Sequence, residues 1–300
     1  MTLSAESIRG SLAGIARPPL RRILELDQSG DDTFLGYSCV AGPSRIYGGQ
    51  AVGQALIAAA RTVPADRPVH SIHGHFLYPG DTSSPVEYQV DRPRDGGSFT
   101  SRLVRAVQGD RTIFTATASF QRVEDGLSHQ VRDCEPAVAP EDLPDFADTL
   151  SADQLAGAQW LPHLFSGIAA EFRFPEEYPR LAVKRGETRP PKQRAWVRSP
   201  EPLGDDPVIH AGAFGYISDL FLLSSALPPH TITTEDANLQ LASLDHTVWF
   251  HEPFRIDQWH LYEQEGSWMG HSRGLCRGHL YNREGTLVAT TMQEGLLRIR

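Results

Sequence analysis

The sequence predicts an α+β fold of two tandem modules, each an antiparallel sheet curved around one buried helix. The segment that begins at Ile113 is matched by a segment that begins at Leu287, about 174 residues later, and each follows a glycine-containing turn. His75–Pro79 and Trp249–Pro253 share that spacing, so two separate landmarks keep one register. Each copy also has a helix-like run ahead of several strand-like segments. A chain of 300 residues suits about two compact domains, which agrees with a duplication.

The first module opens with a helical lead-in over residues 5–27, which Pro18 and Pro19 interrupt, and Thr33–Ser38 is typical of a strand. Residues 48–63 are small or apolar at nearly every position, which predicts a helix buried around most of its circumference. Turns rich in glycine and aspartate then separate segments typical of an antiparallel meander. The predicted strands are 68–78, 85–93, 98–108 and 111–122.

A connector follows, because prolines alternate with acidic residues between 126 and about 164, with a short helix predicted near 151–158. The predicted domains are therefore 1–125, a connector over 126–165, and a second module over 166–300 that carries the catalytic residues. That module is expected to begin with a strand at 170–174 and to have a helix at about 208–227. Its further predicted strands are 240–251, 258–268, 271–283 and 286–298.

The two modules are expected to differ most at the start of the helix. Aligning the helices at an offset near 169 sets Gly48, Gly49 and Gln50 of the first copy opposite Ser218 and Asp219 of the second. The second copy then has a loop longer by about five residues, and surface loops absorb such insertions at little cost. On this alignment only the second module places a carboxylate at the helix start.

Composition excludes several classes of function. The net charge of −9 makes a nucleic-acid partner unlikely on electrostatic grounds, and no apolar run approaches the roughly 20 residues of a membrane span. Cys39, Cys134 and Cys276 are far apart and form no C-x-x-C pair, which argues against a disulfide scaffold or a zinc site. No secretory signal is recognisable at the N-terminus. We therefore expect a cytoplasmic protein.

Three histidines, His70, His73 and His75, suggest a metal site on a strand. Because side chains alternate along a strand, His73 and His75 should share one face while His70 points to the other. Two imidazoles fall short of the three protein ligands of catalytic zinc, so packed or hydrogen-bonded histidines are the favoured interpretation. The sequence predicts neither a metal nor a cofactor. It also has no G-x-S-x-G, G-x-x-x-x-G-K-[ST] or H-E-x-x-H motif.

Asp219, Ser243 and Gln293 are the candidates for chemistry. Asp219 has a plain structural interpretation, in which Ser218 caps a helix and Asp219 complements its positive end. Ser243 and Gln293 each suit an ordinary polar strand position, and spacing alone does not pair them. If the three converge, however, the carboxylate accepts a proton from water while the hydroxyl and the carboxamide fix that water.

The chain closely resembles the acyl-CoA thioesterase II family over about residues 15–298. The motifs that carry the resemblance are Ile46–Leu56, His70–Asp81, Arg94–Phe99, Ser218–Leu220, Leu244–His251 and Gln293–Gly295. The resemblance implies a double hotdog fold, in which a long helix is wrapped by an antiparallel sheet and the unit is duplicated. It also implies hydrolysis of acyl-CoA to a fatty acid and coenzyme A by a water that an Asp, a Thr and a Gln orient.

Carried over by motif, the Asp is Asp219 and the Gln is Gln293, while Ser243 stands where the family has Thr. Serine keeps the hydroxyl and lacks the β-branch that restricts χ1, so we expect activity with some loss of positioning. The resemblance further implies an acyl-CoA substrate and a homodimer or homotetramer. Substrate contacts are expected from Gly48, Gly49, Gln50, His73 and His75. Basic residues that could meet coenzyme A phosphates are Lys184, Arg185, Arg189, Lys192 and Arg194.

Two other functions remain open at this point. A hotdog protein can bind acyl-CoA without turnover, which the serine at position 243 favours. A hotdog enoyl-CoA hydratase would use an Asp and a His together. Asp245 and His246 are adjacent in the chain and so lie on opposite faces of a strand, which makes a cooperating pair from this dipeptide unfavourable.

Overall fold

The computed structural model describes residues 17–38, 45–131, 133–157 and 167–300. Within these ranges a single antiparallel sheet of thirteen strands runs through the molecule in the order β1-β2-β4-β5-β6-β3-β10-β13-β12-β11-β8-β7, and β9 pairs with β13. The helices are α1 (Leu20–Leu24), α2 (Gly48–Ala60), α3 (Ala152–Gly157), α4 (Pro179–Lys184) and α5 (Pro207–Ile217). Most of the predicted lead-in, residues 5–16, lies outside the described residues.

The strands of the first half are β1 (Leu26–Gly30), β2 (Thr33–Gly36), β3 (Val69–Phe76), β4 (Val86–Asp95), β5 (Phe99–Gln108) and β6 (Arg111–Gln121). Those of the second half are β7 (Glu171–Arg173), β8 (Lys192–Arg198), β9 (Leu239–Ser243), β10 (Asp245–Phe250), β11 (His260–Gly270), β12 (Arg273–Tyr281) and β13 (Leu287–Ile299). Strands predicted from the sequence are confirmed in both halves, except that the segment 240–251 is divided into β9 and β10.

The duplication is visible in the sheet. β4 begins at Val86 and β11 at His260, and β5 begins at Phe99 and β12 at Arg273, so both pairs keep the spacing of 174 residues. The two halves join where β3 pairs antiparallel with β10, and Thr247 lies opposite His73 at that junction. One continuous sheet therefore carries both copies.

The two long helices pack against each other on the inner face of this sheet. Contacts of Gly49 with Tyr216, and of Gly53 with Gly212, show that α2 and α5 run antiparallel. A Cβ on Gly53 would lie 2.7 Å from the carbonyl oxygen of Gly212, so the absence of a side chain permits this close approach. Twelve consecutive residues of α2, from Gly49 to Ala60, are buried, as its apolar circumference predicts.

The expected alignment of the helices is wrong. α2 starts at residue 48 and α5 at residue 207, an offset of 159 residues, and α5 ends at Ile217 instead of near 227. Against the strand spacing of 174, the second copy thus has about 15 extra residues between its helix and its next strands, not five. Polar and apolar residues alike fit a buried helix here, so periodicity did not fix the register.

The face of the second half that lies away from the helices is partly covered by the connector. Trp196, Trp259 and Leu261 form a small buried cluster there, and the indole of Trp196 donates to the carbonyl oxygen of Val138 at 2.8 Å. Among the residues that the structure describes, no helix has both the length and the apolar character needed to cross a membrane.

Candidate active site

Asp219 lies just beyond the C-terminus of α5, not at the start of a helix. Ser218 is the C-terminal cap of α5, with φ −62° and ψ −24°, and its amide donates to the carbonyl oxygen of Phe214. The expectation that Ser218 is an N-cap and that Asp219 complements the positive end of its own helix is therefore wrong. Its cause is the helix offset, which differs from the one assumed by ten residues.

The structure brings Asp219, Ser243 and Gln293 together. The Nε2 of Gln293 donates to the Oδ1 of Asp219 at 2.6 Å and to the Oγ of Ser243 at 2.9 Å. Gln293 is fully buried on β13, while Asp219 and Ser243 are half-buried. Alternation on β13 turns Gln293 inward, and the pairing of β9 with β13 sets Ser243 opposite Gly295, two residues further along.

The second oxygen of Asp219 is held by the other module. The amide of Gly49, in the first turn of α2, donates to the Oδ2 of Asp219 at 3.0 Å. The first amides of a helix have no partner within it, and this end carries partial positive charge. The carboxylate therefore lies at the start of a helix after all, but of the helix in the first copy.

This hydrogen-bond pattern fixes the direction of each group. A carboxylate only accepts hydrogen bonds, so the amide nitrogen of Gln293 must face Asp219. The same nitrogen uses its second proton on Ser243, whose own proton has no acceptor within the described chain. The Oε1 of Gln293 is buried and likewise has no described partner. The cluster thus presents a carboxylate, a hydroxyl donor and an amide acceptor.

Gly48 and Gly49 are placed where the sequence expected a substrate contact, next to the carboxylate. A Cβ on Gly48 would lie 2.8 Å from the Oδ2 of Asp219 and 3.1 Å from the ring of Phe76. A Cβ on Gly49 would lie 2.1 Å from the carbonyl oxygen of Tyr216. Neither position has space for a side chain, and both leave the backbone open toward Asp219.

The other three predicted substrate contacts are not brought to this cluster. Gln50 is buried inside the first module, where its Nε2 donates to the carbonyl oxygen of Tyr37 and its Oε1 accepts from Ser38. His73 and His75 are exposed on the outer face of β3, opposite the face that packs on α2. The ring of His73 contacts that of Trp249, with 5.1 Å between centroids.

The expected orientation of His70 is also wrong. A β-bulge between Val69 and Ser71 breaks the alternation of β3. The Nε2 of His70 lies 2.8 Å from the Oγ of Ser119 and the pKa of His70 is lowered, mainly by burial and then by the nearby His73. Even so, no group of three or more His, Cys, Asp or Glu side chains in the described part of the chain could hold a metal ion.

Two buried groups surround Asp219 that the sequence reasoning did not connect with it. Burial, followed by the charge of Asp219, raises the pKa of Tyr47 well above its usual value, so this phenol stays protonated. Burial lowers the pKa of His246, whose Nε2 lies 2.7 Å from the Oγ of Ser218. Because that Oγ donates to the carbonyl oxygen of Gly215, the Nε2 of His246 carries the proton.

The basic residues considered for coenzyme A phosphates are all engaged by carboxylates. Lys184 pairs with Glu235, and Arg194 with Glu176. The remaining pairs join Arg185 to Glu177 and Glu187, Arg189 to Glu187, and Lys192 to Glu265. A cavity of about 450 Å³ adjoins several of them, but Glu263 and Glu265 in its wall alternate with Gln264 and lie on the sheet face away from Asp219. We therefore do not connect this cavity with the Asp219 cluster.

Comparisons with known proteins place this geometry in a family. Residues 168–296 match the acyl-CoA thioesterase family and residues 38–121 match the acyl-CoA thioesterase N-terminal domain. Human acyl-coenzyme A thioesterase 8 is 40% identical, covering 97% of this chain and 93% of that protein. Acyl-CoA thioesterase 2 of Haemophilus influenzae is 37% identical, covering 93% and 96%.

Solved structures agree on the fold. The crystal structure of acyl-CoA thioesterase II TesB2 from Mycobacterium marinum is 38% identical, with a TM-score of 0.75, and covers 94% of this chain and 98% of that one. The double hotdog fold is thereby confirmed. Sequence identity over nearly the whole chain and a shared fold lead to one conclusion: this chain belongs to the acyl-CoA thioesterase family.

Proposed function

We propose that Asp219 is the general base through which this acyl-CoA thioester hydrolase activates water. The observation that carries the proposal is the hydrogen bonding of Asp219 and Ser243 to a single buried amide, that of Gln293. A carboxylate, a hydroxyl and a carboxamide that share one point can hold a water in a fixed orientation, which lowers the entropic cost of attack.

The chemical steps balance as follows. The oxygen of the water attacks the thioester carbonyl carbon, and its proton passes to the carboxylate of Asp219. Collapse of the tetrahedral intermediate breaks the C–S bond, and Asp219 returns the proton to the leaving thiolate. The products are a fatty acid and the free thiol of coenzyme A. Ser243, whose own proton is uncommitted, is placed to donate either to the water or to the developing oxyanion.

We further propose that the backbone at Gly48 and Gly49 contacts the thioester. The start of α2 lies against the carboxylate, with the Gly49 amide 3.0 Å from Asp219, and the absence of a side chain leaves it open. Partial positive charge at this helix start favours an oxyanion nearby. For His73 and His75 the geometry offers no such support, because both are on the opposite face of the sheet.

A thiol-trapping assay with purified protein and a series of acyl-CoA chain lengths tests the activity. We expect thiol release, and no hydration of an enoyl-CoA. Binding of acyl-CoA without thiol release would instead favour a sensor or acyl-chain carrier. The hydratase alternative lacks its required pair, because Asp245 accepts from the amide of Glu294 while His246 contacts Ser218.

Single-turnover hydrolysis in ¹⁸O-labelled water tests direct attack by water. With excess enzyme, we expect the label in the fatty acid and none in the protein. A covalent anhydride on Asp219 would be hydrolysed with label entering the carboxylate of Asp219 instead. Mass spectrometry of the fatty acid and of the peptide that contains Asp219 separates the two outcomes.

Location and assembly are also proposals. We propose a cytoplasmic protein that forms a homodimer or homotetramer. Cys276 supports a reducing location, because it is a buried free thiol whose pKa burial raises to about 11. Cell fractionation and light scattering on the purified protein check location and assembly, and a secreted or a strictly monomeric protein would contradict them.

A further inference from the structure

We infer that Tyr262, Gln264 and Gln193 are positioning residues that aim Asp219 by holding the backbone of the turn that carries it. This inference rests on the proposed function of Asp219. The turn begins where α5 ends, and its carbonyl groups at Ser218, Leu220 and Phe221 each accept a hydrogen bond from one of these three side chains.

The turn is unlikely to hold this shape without support. Phe221 has φ 63°, in the left-handed region that a bulky residue rarely adopts. The carbonyls at the end of a helix lack partners within it, and the negative end of the helix dipole repels the carboxylate of Asp219. Local sequence preference therefore does not determine the position of Asp219. Something outside the turn must hold it.

The sheet supplies the hydrogen-bond donors. The hydroxyl of Tyr262 donates to the carbonyl oxygen of Ser218 at 2.7 Å, and the Nε2 of Gln264 donates to that of Leu220 at 2.7 Å. The Nε2 of Gln193 donates to the carbonyl oxygen of Phe221 at 2.8 Å and to the Oε1 of Gln264 at 2.6 Å. Every carbonyl on either side of Asp219 thus has a partner from β8 or β11.

These three side chains are unusual for the inner face of a sheet. Tyr262 is 1% exposed, Gln264 is 3% exposed and Gln193 is 7% exposed. Burying polar groups costs free energy that an apolar side chain at the same position would avoid. Complete hydrogen bonding offsets this cost and makes the arrangement rigid, which suits a carboxylate that must be aimed.

The same network reaches the strand of Gln293. The hydroxyl of Tyr262 lies 2.7 Å from the Oγ1 of Thr291, and because Tyr262 donates to Ser218, Thr291 is the donor in this contact. Thr291 and Gln293 share the inner face of β13. One polar network therefore sets the position of Asp219 relative to the amide that binds it.

The duplication offers a matched control. Tyr88 on β4 corresponds to Tyr262 at the 174-residue spacing, is fully buried, and donates to the Oε1 of Gln54 at 2.8 Å. Tyr262→Phe and Tyr88→Phe each remove one buried hydroxyl and one inner-face hydrogen bond. Only the first of these bonds supports the turn of Asp219.

The experiment compares these two variants in the full chain by steady-state kinetics and by amide hydrogen exchange at Gly49. We expect Tyr262→Phe to lower kcat about tenfold or more while KM changes less than about twofold, and Tyr88→Phe to leave kcat near wild type. Because the Gly49 amide donates to Asp219, its exchange should quicken in Tyr262→Phe and not in Tyr88→Phe. Gln264→Leu should act in the same direction as Tyr262→Phe.

Equal effects of Tyr262→Phe and Tyr88→Phe on kcat and on Gly49 exchange would overturn the inference. If Tyr262→Phe does not fold, Gln264→Leu provides the same comparison. Failure of the proposed function has a different signature, which is a folded wild-type protein that releases no thiol. In that case Gly49 exchange still shows whether the network positions Asp219.

Discussion

Asp219 follows the negative end of its own helix, α5, and contacts the positive end of the helix in the other module. Two donors, the Gly49 amide at 3.0 Å and the Gln293 amide at 2.6 Å, stabilise the carboxylate in this position. Hydrogen bonds to a charged group are stronger than those between neutral groups. The single carboxylate at this point of the duplicated fold is therefore held by groups from both copies.

Ser243 is the residue at which we expect the site to differ from its relatives in tuning. Ser243→Ala removes the hydroxyl that Gln293 orients, and we expect kcat to fall about 10- to 100-fold. Ser243→Thr restores a β-branch that limits χ1, and we expect kcat to rise about twofold. Thiol release by both variants, with KM measured alongside, checks this. An unchanged kcat in Ser243→Ala would exclude a role for the hydroxyl.

The three catalytic candidates could be named from the sequence, but their convergence could not be derived from spacing. Asp219 and Gln293 are 74 residues apart and meet only because the inner face of β13 passes the end of α5. The resemblance to a family named them, while alternation along β13 predicted only which residues share a face with Gln293. Their contacts depend on tertiary packing.

At the scale of elements, the packing of α2 on α5 determines whether Gly49 reaches Asp219. Strand positions were predictable because turns rich in glycine and aspartate mark their ends, as at Gly109 and Gly285, both with positive φ. The helix α5 has no comparable end signal, since Ser218 and Asp219 are followed by more apolar residues. The helix offset was therefore misplaced, and with it the expected setting of Asp219.

Gly49→Ala tests this helix contact. The added Cβ would meet the carbonyl oxygen of Tyr216 at 2.1 Å and force the start of α2 away from α5. We expect the free energy of unfolding to fall by about 1–3 kcal/mol and thiol release to fall with it. Urea denaturation and kinetics measure the two effects.

Gly215→Ala is the matched control, because it adds a Cβ to the same helix pair at ordinary contact distances of 3.5 Å or more. Alanine is a better helix former than glycine, so we expect this variant to be as stable as wild type or up to about 1 kcal/mol more stable. Equal destabilisation by both substitutions would show that the close approach at Gly49 is not the cause.

At the scale of the whole molecule, one sheet of thirteen strands within the described residues joins both copies through β3 and β10. His246, fully buried on β10, lies beside this junction and contacts Ser218. Unfolding of either copy would disrupt the sheet, the helix pair and the Asp219 cluster together. The duplication thus produces one cooperative unit and not two independent modules.

The stability of this unit should depend on pH through His246. Burial lowers its pKa, so the unfolded chain takes up a proton near pH 6.5 while the folded chain does so only at lower pH. His246 therefore contributes full stability above about pH 6.5, and this contribution is lost as pH falls toward the folded pKa. We expect His246→Gln to reduce the slope of unfolding free energy against pH below 6.5, by at most about 1.4 kcal/mol per pH unit.

Urea denaturation at a series of pH values between about 5 and 8 measures this slope. His129→Gln, at an exposed position, serves as the control and should leave the slope of wild type intact. If His246→Gln shows the wild-type slope, another group accounts for the loss of stability in acid.

The most direct measurement of the central claim is kcat for thiol release by Asp219→Asn beside wild type. Asparagine keeps the shape of the side chain and removes the base, so we predict a fall in kcat of at least about 100-fold with the fold retained. Circular dichroism and Gly49 exchange would confirm that the site is still assembled. Full activity in a correctly folded Asp219→Asn variant would contradict the account.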